Sequence, residues 1–580
     1  MRLLVCAFVF APISARATSL YWDDNGTTAG ASSTPTGTWG TDSFWNSDST
    51  GVANTFTATT TSSDAVFFVA GPSATSGNTS YTVSLSADQA ASGITFQSSA
   101  TTVTIGADST RTISVGAGGI AIVDKAYAAV VAGGATINSN IALTANQIFT
   151  TVRNPLILNG VISGAFNLTL SGNGTKTLNA ANTYTGTTTI SNSSVVLGGT
   201  AGSLGTGNVT LNDAFAGLSF SQSSNVTFAN NITGTGNSSA ITKTGSTTTL
   251  TLTGTNTYTG GTFIRGNGAI SVSSITNNLG SGNIKMGSSA ETGTLIYTGA
   301  GETTTKTIQL SGTNGGGTIQ ADGTGALVVS NGITASANST ARTFTLRGSN
   351  TGANSIGAIT NGTATSGIAL TKADAGKWVL TGTNTYTGIT TVSGGTLLIN
   401  GDSSAATGAV SVASSATFGG TGTIGGATTV ASGSLLSAGS ASGSVGTLTF
   451  ASTLNISGLA GGPNGGLLFD LDTAAASDKI NLTTGALTIG SGLLDLNDFS
   501  FVALGGYGAG TYTLISTTTS ISGTLGSTLT GTFGGYGTAL AISGNNIVLT
   551  VTAIPEPSTY AAIFGALSLV GVIVARRRRA

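Results

Sequence analysis

Apolar residues alternate with polar ones over short runs along most of the chain, as in Tyr81-Val83-Leu85, Val103-Ile105, Ile113-Val115, Leu168-Leu170, Leu250-Leu252 and Ile547-Leu549-Val551. A period of two puts these side chains on one face of a strand. Clusters of Gly, Asn and Ser interrupt the runs, so the pattern predicts many short, half-buried strands joined by tight turns. Two segments break the alternation. Leu3–Phe10 is a continuous apolar run behind Arg2, and Tyr560–Ala575 is another, followed by Arg576, Arg577, Arg578 and Arg579.

The alternating body is self-similar. Asn182-Thr183-Tyr184-Thr185-Gly186 recurs as Asn256-Thr257-Tyr258-Thr259-Gly260 and as Asn384-Thr385-Tyr386-Thr387-Gly388. The last two copies follow Leu252-Thr253-Gly254-Thr255 and Leu380-Thr381-Gly382-Thr383, with Lys243 and Lys372 further upstream. The three tyrosines lie 74 and 128 residues apart, close to three and five multiples of about 25 residues, a period of solenoid size. A coil that small cannot bury an apolar face alone, so coils must stack on their neighbours, with parallel strands about 4.8 Å apart. The expectation is an all-β fold, a single parallel β-helix (β-solenoid) over residues 61–466.

These copies resemble the autotransporter-associated β-strand repeat, which has a Leu-x-Gly-x-Asn-x-Tyr-x-Gly-x-Thr core. Residues 248–262 and 376–400 match it best, and residues 176–197 match with Ala180 in place of the first glycine. Gly419–Leu448 resembles the Gly-rich coil that follows such repeats. The resemblance implies a β-helical body, and with no translocating barrel in the repeat segments it does not imply self-translocation through an outer membrane.

Composition supports strands over disorder and thins the chemistry. Of 580 residues, 88 are Gly, 7 are Pro and 39% are hydrophobic, while charged residues amount to 7%, against about 25% in ordinary soluble proteins. There is no histidine, which excludes a Ser-His-Asp triad and imidazole metal ligation. Cys6 is the only cysteine and lies in the leader, so no disulfide is expected after it. Without the terminal arginines and Glu556 the body holds 13 basic and 19 acidic residues. That balance argues against a nucleic-acid partner.

Both ends read as addresses. Residues 1–17 have a basic start, an apolar core and an Ala15-Arg16-Ala17 cleavage site, a signal peptide cut after Ala17 and handled by the export machinery. At the other end, residues 554–580 combine Pro555-Glu556-Pro557, the apolar run 560–575 and the four arginines Arg576–Arg579. Sixteen residues rise about 24 Å as a helix, and flanking residues and snorkelling arginines extend that reach, so a single C-terminal transmembrane helix with a cytoplasmic basic end is expected. This arrangement resembles the PEP-CTERM sorting signal of Gram-negative bacteria. The resemblance implies inner-membrane retention followed by cleavage by an exosortase-type enzyme. Pro555, Glu556 and Pro557 would then be the recognition element and Arg576–Arg579 the stop signal.

Residues 18–60 crowd Trp22, Trp39 and Trp45 with Tyr21 and Phe44, and read as an N-terminal cap, with a sugar-stacking platform as the alternative. The three tryptophans are therefore candidate glycan contacts. Residues 467–553 form the C-terminal end of the solenoid, with Asp470, Asp472, Asp478, Asp495 and Asp498 among them. Asp470 and Asp472 would share a strand face, which suits an acid–base pair, a calcium contact or a salt bridge with Lys479. Asp23-Asp24-Asn25-Gly26 reads as a turn. Thr249, Thr251 and Thr253 have the spacing of a crystal-surface-binding array.

No cofactor, metal or catalytic residue is assigned. The sequence reads as a non-enzymatic, exported structural or adhesive protein of the cell surface or extracellular matrix, able to contact extracellular polysaccharide. The alternatives are a carbohydrate-binding surface protein and a β-helix enzyme acting on polysaccharide.

Overall fold

The computed structural model describes residues 17–578 except 33, 54, 69–79, 99–101, 125–132, 237–239, 246, 337–339, 365, 440–442, 460–464 and 555–556. The chain divides into two compact units, Met1–Thr298 and Gly299–Ala580. Each is a parallel β-solenoid.

In the first unit, short strands of successive coils pair in parallel and in register. One inward column runs Val103, Ala135, Leu156, Lys176, Val195, Leu218, Ile241, Thr262 and Ile284. Two positions along the same strands, a second column runs Ile105, Ile137, Leu158, Leu178, Leu197, Phe220, Lys243, Ile264 and Met286. All of these side chains are buried. On another sheet, Phe149, Leu170, Ile190 and Leu211 form a column of the same kind. The period-two pattern thus becomes a core of stacked aliphatic columns, because parallel register repeats the inward position at every coil.

The second unit repeats the design. Ile319, Leu346, Lys372, Val392, Val412 and Val430 form one inward column, and Trp378, Leu397, Phe418, Leu436, Leu467 and Phe499 another.

The corners are polar. Asn138, Asn159 and Asn179 stack at one corner, each Nδ2 donating to the Oδ1 of the preceding asparagine at 2.7 Å, with Asn138 donating to the Gly106 carbonyl. Such a ladder satisfies side-chain amides by repetition, as in other stacked parallel sheets. Gly332 shows why glycine is needed at a corner. Its φ is +70°, and an added Cβ would lie 1.9 Å from the Ala358 carbonyl oxygen of the next coil.

Strand direction reverses at both outer segments. Trp22 pairs antiparallel with Trp45, and Trp45 with Thr57. Strand 510–517 pairs antiparallel with 546–553, which also pairs with 536–543. Hairpins end a parallel stack because they cannot template another coil, which blunts the exposed edge.

A helix spans Pro557–Arg577, and the described side chains from 562 to 578 are all exposed. Among the described residues no helix is long and apolar enough to cross a membrane. The transmembrane helix expected over 560–575 is corrected to a 21-residue helix whose described part is exposed and falls short of that apolar length. Residues 1–16, including Ala15, and Pro555, Glu556 and Arg579 lie outside the described residues. Ala17 is exposed, Pro557 opens the helix, and Arg576, Arg577 and Arg578 are exposed at its end.

Candidate interaction surface

The repeated Asn-x-Tyr-x-Gly-x-Thr segments point inward. Asn182, Asn256 and Asn384 are buried, and each Oδ1 accepts a backbone N–H from the coil before it, from Ile162 at 2.7 Å, Ile232 at 2.8 Å and Ile359 at 2.9 Å. Two residues on, each tyrosine hydroxyl meets the hydroxyl of the threonine four positions later: Tyr184–Thr188 at 2.7 Å, Tyr258–Thr262 at 2.6 Å and Tyr386–Thr390 at 2.8 Å. Burial pushes the Tyr258 and Tyr386 phenols up to about 12, so both stay protonated. Buried polar groups must be paired, and here the asparagine bolts its coil to the one before it while the Tyr–Thr pair braces a turn within its own coil.

Three lysines interrupt the aliphatic columns. Lys176, Lys243 and Lys372 are at most 1% exposed. Lys176 Nζ donates to the Ser171, Gly172 and Gly174 carbonyls and to Ser193 Oγ. Lys243 Nζ donates to the Thr244 carbonyl and Thr248 Oγ1, and Lys372 Nζ to the Ala373, Asp374 and Gly394 carbonyls at 2.7, 2.8 and 3.0 Å. Burial pushes Lys176 down to about 7 and Lys372 to about 8. The oxygen cages work the other way, since an ammonium fills more acceptors than an amine. These lysines tie turn carbonyls together and present nothing to solvent. Lys243 and Lys372 were visible as repeat members. Lys176 was missed because it opens its strand, whereas the other two close theirs.

The acidic cluster also serves the backbone. Asp470 Oδ2 accepts from the Gly443 and Ser444 N–H groups, and Asp478 accepts from Gly446 and from the Asp470 N–H. Burial raises Asp478 to about 6, opposed by those two backbone donors. Asp472 lies just past the strand 467–471, its Oδ1 accepting from the Gly506 N–H and its own N–H donating to Ser477 Oγ, while Asp470 is buried, so the two do not form a facing pair open to substrate. Among the described residues no group of three acidic side chains is placed to hold a metal ion. Asp23 and Asp24 similarly brace the N-terminal turn through Asn25, Asn46 and Ser32.

The tryptophans correct an expectation. Trp22, Trp39 and Trp45 are all 0% exposed. Trp45 stands edge-on to Trp22, Trp39 and Phe68, at 5.0, 5.1 and 5.4 Å between ring centroids. Trp22 Nε1 donates to the Pro35 carbonyl and Trp39 Nε1 to Thr60 Oγ1. Rings packed edge to face on all sides have no face for a sugar, so these residues form a core plug rather than a glycan platform.

What the solenoid does present is hydroxyl and amide. Thr169, Thr189, Thr210 and Thr233 form one outward ladder in the first unit, flanked by Asn167, Thr187, Asn208 and Asn231, with Asn167 accepting from Thr187 and Asn231 donating to Asn208. In the second unit Thr345, Thr371, Thr391, Ser411 and Thr429 run in register on the outside. The Thr249-x-Thr251 pair does not extend into a doubled array: its neighbours are Ala269 and Ser271, then Thr294 and Ile296. That spacing was an accident of composition.

Comparison with known proteins places these features. The Passenger-associated-transport-repeat family model matches residues 168–192, 241–272 and 370–399, the three segments that carry the inward bolts. A stretch of 186 residues is 33% identical to the adhesin BmaC autotransporter of Brucella suis biovar 1 (strain 1330), covering 30% of this chain and 5% of that protein. The chain thus carries three passenger-associated transport repeats within a β-solenoid, and is similar over part of its length to a short stretch of a far longer adhesin.

Proposed function

We propose that this chain is an exported structural and adhesive β-solenoid of the Gram-negative cell surface or extracellular matrix, with no catalytic role. The similarity to a stretch of an autotransporter adhesin, in a protein whose repeats place their Asn, Tyr and Thr motif side chains inward, carries this reading. Its polar motif residues hold coils together, and its outer face offers in-register Thr, Ser and Asn groups suited to weak, repeated contacts. Many contacts of this kind along the coils of each unit produce adhesion by multivalency.

The C-terminal segment is proposed to act as a sorting tail, removed near Pro555-Glu556-Pro557 by an exosortase-type enzyme. The exposure of all described side chains from 562 to 578 supports this reading, since their removal uncovers no buried side chain among them. The test is the intact mass of protein recovered from native cells, fraction by fraction, beside surface attachment and autoaggregation of a deletion strain. A mature form running from near Thr18 to near Pro555 in the surface or medium fraction, with attachment lost on deletion, is the expected result. Attachment and aggregation unchanged in the deletion strain would overturn the adhesive role, and retention of the arginine tail in the surface form would overturn processing.

A further inference from the structure

Two cations on the outer face of the first unit share one aromatic ring. Phe263 lies in the outward column Ser219, Thr242, Phe263, Lys285. Arg265 Cζ stands 4.6 Å from the Phe263 ring centroid and Lys285 Nζ stands 5.2 Å from it. All three residues are partly exposed. Neither cation forms an ion pair with a described carboxylate, and Arg265 Nε has no hydrogen-bond partner. The nearby carboxylate of Glu291 is engaged by its own corner, accepting from the Gly266 N–H at 3.1 Å and Ser288 Oγ at 2.7 Å.

Like charges held beside one ring repel. The negative face of the ring offsets part of that repulsion, and an anion bridging the two would offset the rest. Arg offers a planar fork that matches a carboxylate or sulfate, and Lys supplies a mobile point charge. The surroundings narrow the ligand. The body carries 13 basic against 19 acidic residues, so an extended polyphosphate would meet net repulsion beyond this pair. The neighbouring outward groups, Ser219, Thr242, Asn267 and Ser288, are neutral and match the hydroxyls of a sugar.

We propose that Arg265 and Lys285, held by Phe263, bind the anionic group of an acidic polysaccharide, a uronate carboxylate or a sulfate ester. This rests on the adhesive reading above and names its ligand class. The site lay beyond sequence reasoning because parallel register, not proximity along the chain, brings Lys285 beside Phe263.

The experiment measures binding of the full chain to immobilised polygalacturonate, dextran sulfate, unmodified dextran and double-stranded DNA at several salt concentrations. The expected result is binding to polygalacturonate or dextran sulfate, weakened by salt, with little binding to dextran or DNA. Arg265→Gln and Lys285→Gln each weaken it about tenfold, and the double variant abolishes it. Arg111→Gln, an exposed cation elsewhere in the same unit, leaves it unchanged. Circular dichroism confirms that each variant is folded, since both side chains lie on the outer face. Binding unchanged in the double variant, equal binding to DNA, or binding to neither anionic polysaccharide would each overturn the proposal. Attachment of native cells separates this from the broader role: if the double variant still restores attachment to the deletion strain, the anionic site falls and the adhesive reading stands.

Discussion

Replacing Tyr258 with Phe isolates the buried Tyr–Thr brace of the repeat. The phenol is 0% exposed and Thr262 is 1% exposed, and the hydroxyl bonds Thr262 Oγ1 at 2.6 Å and the Gly280 backbone. The substitution removes one oxygen and leaves the ring in place, so it opens almost no cavity, but it orphans a buried hydroxyl and a backbone group. Each such group costs roughly 1–3 kcal/mol, so Tyr258→Phe should cost about 2–6 kcal/mol. Tyr386 bonds Thr390 Oγ1 and lacks the second backbone partner, so Tyr386→Phe should cost about half as much. Adding Thr262→Val to Tyr258→Phe removes both members of the hydroxyl pair. The double variant should then be less damaged than the sum of the single ones by about 1 kcal/mol, because a missing pair is cheaper than a half-missing one. Long repeat arrays do not unfold in two states, so the readout is amide hydrogen exchange over peptides covering residues 250–285, which reports local opening. A cost below about 0.5 kcal/mol, a Tyr386→Phe cost equal to that of Tyr258→Phe, or strict additivity would refute the brace.

Three further outcomes follow from the same contacts. Burial sets Lys176 near 7 in the folded protein, below its ordinary 10.5, so the unfolded chain binds more protons between those values and stability should rise with pH across that window. The readout is the shift of the urea midpoint between about pH 7 and 9.5, which needs no two-state fit; Lys176→Met should flatten it, and an equal shift in the two proteins would contradict this. Trp45→Ala removes the ring that contacts Trp22, Trp39 and Phe68 and should cost about 3–5 kcal/mol, seen as loss of near-ultraviolet circular dichroism and increased aggregation, with polysaccharide binding by the surviving folded fraction unchanged. Gly332→Ala forces a Cβ to within 1.9 Å of a carbonyl oxygen at φ +70° and should destabilise the second unit by about 2 kcal/mol or more, whereas an alanine with wild-type urea stability would mean that the corner can relax.

The sequence by itself determined the strand pattern, the stacking and the repeat. Alternation fixes which side chains face inward, and a coil too small to stand alone must stack, so Leu170, Leu250 and Leu252 could be assigned to the core from spacing alone. The Asn-x-Tyr-x-Gly-x-Thr copies were equally legible as repeats. Their role as inter-coil bolts was not, because Asn256 answers to Ile232 in the previous coil, a pairing that only register defines. Burial also decided the roles of the aromatic and charged residues. Tryptophans have the same letters in a plug as on a sugar platform, and the edge-to-face packing of Trp22, Trp39 and Trp45 settles which one this is. Asp470 and Asp472 read as a pair on one strand face along the chain, yet in space each holds loop N–H groups, of Gly443 and Ser444 for Asp470 and of Gly506 for Asp472. The gathering of Arg265 and Lys285 on one ring likewise arises from parallel register, which makes neighbours of residues a full coil apart. Short-range pattern is set by strand geometry and is written locally. Which polar groups meet depends on how coils align, and that is a property of the stack.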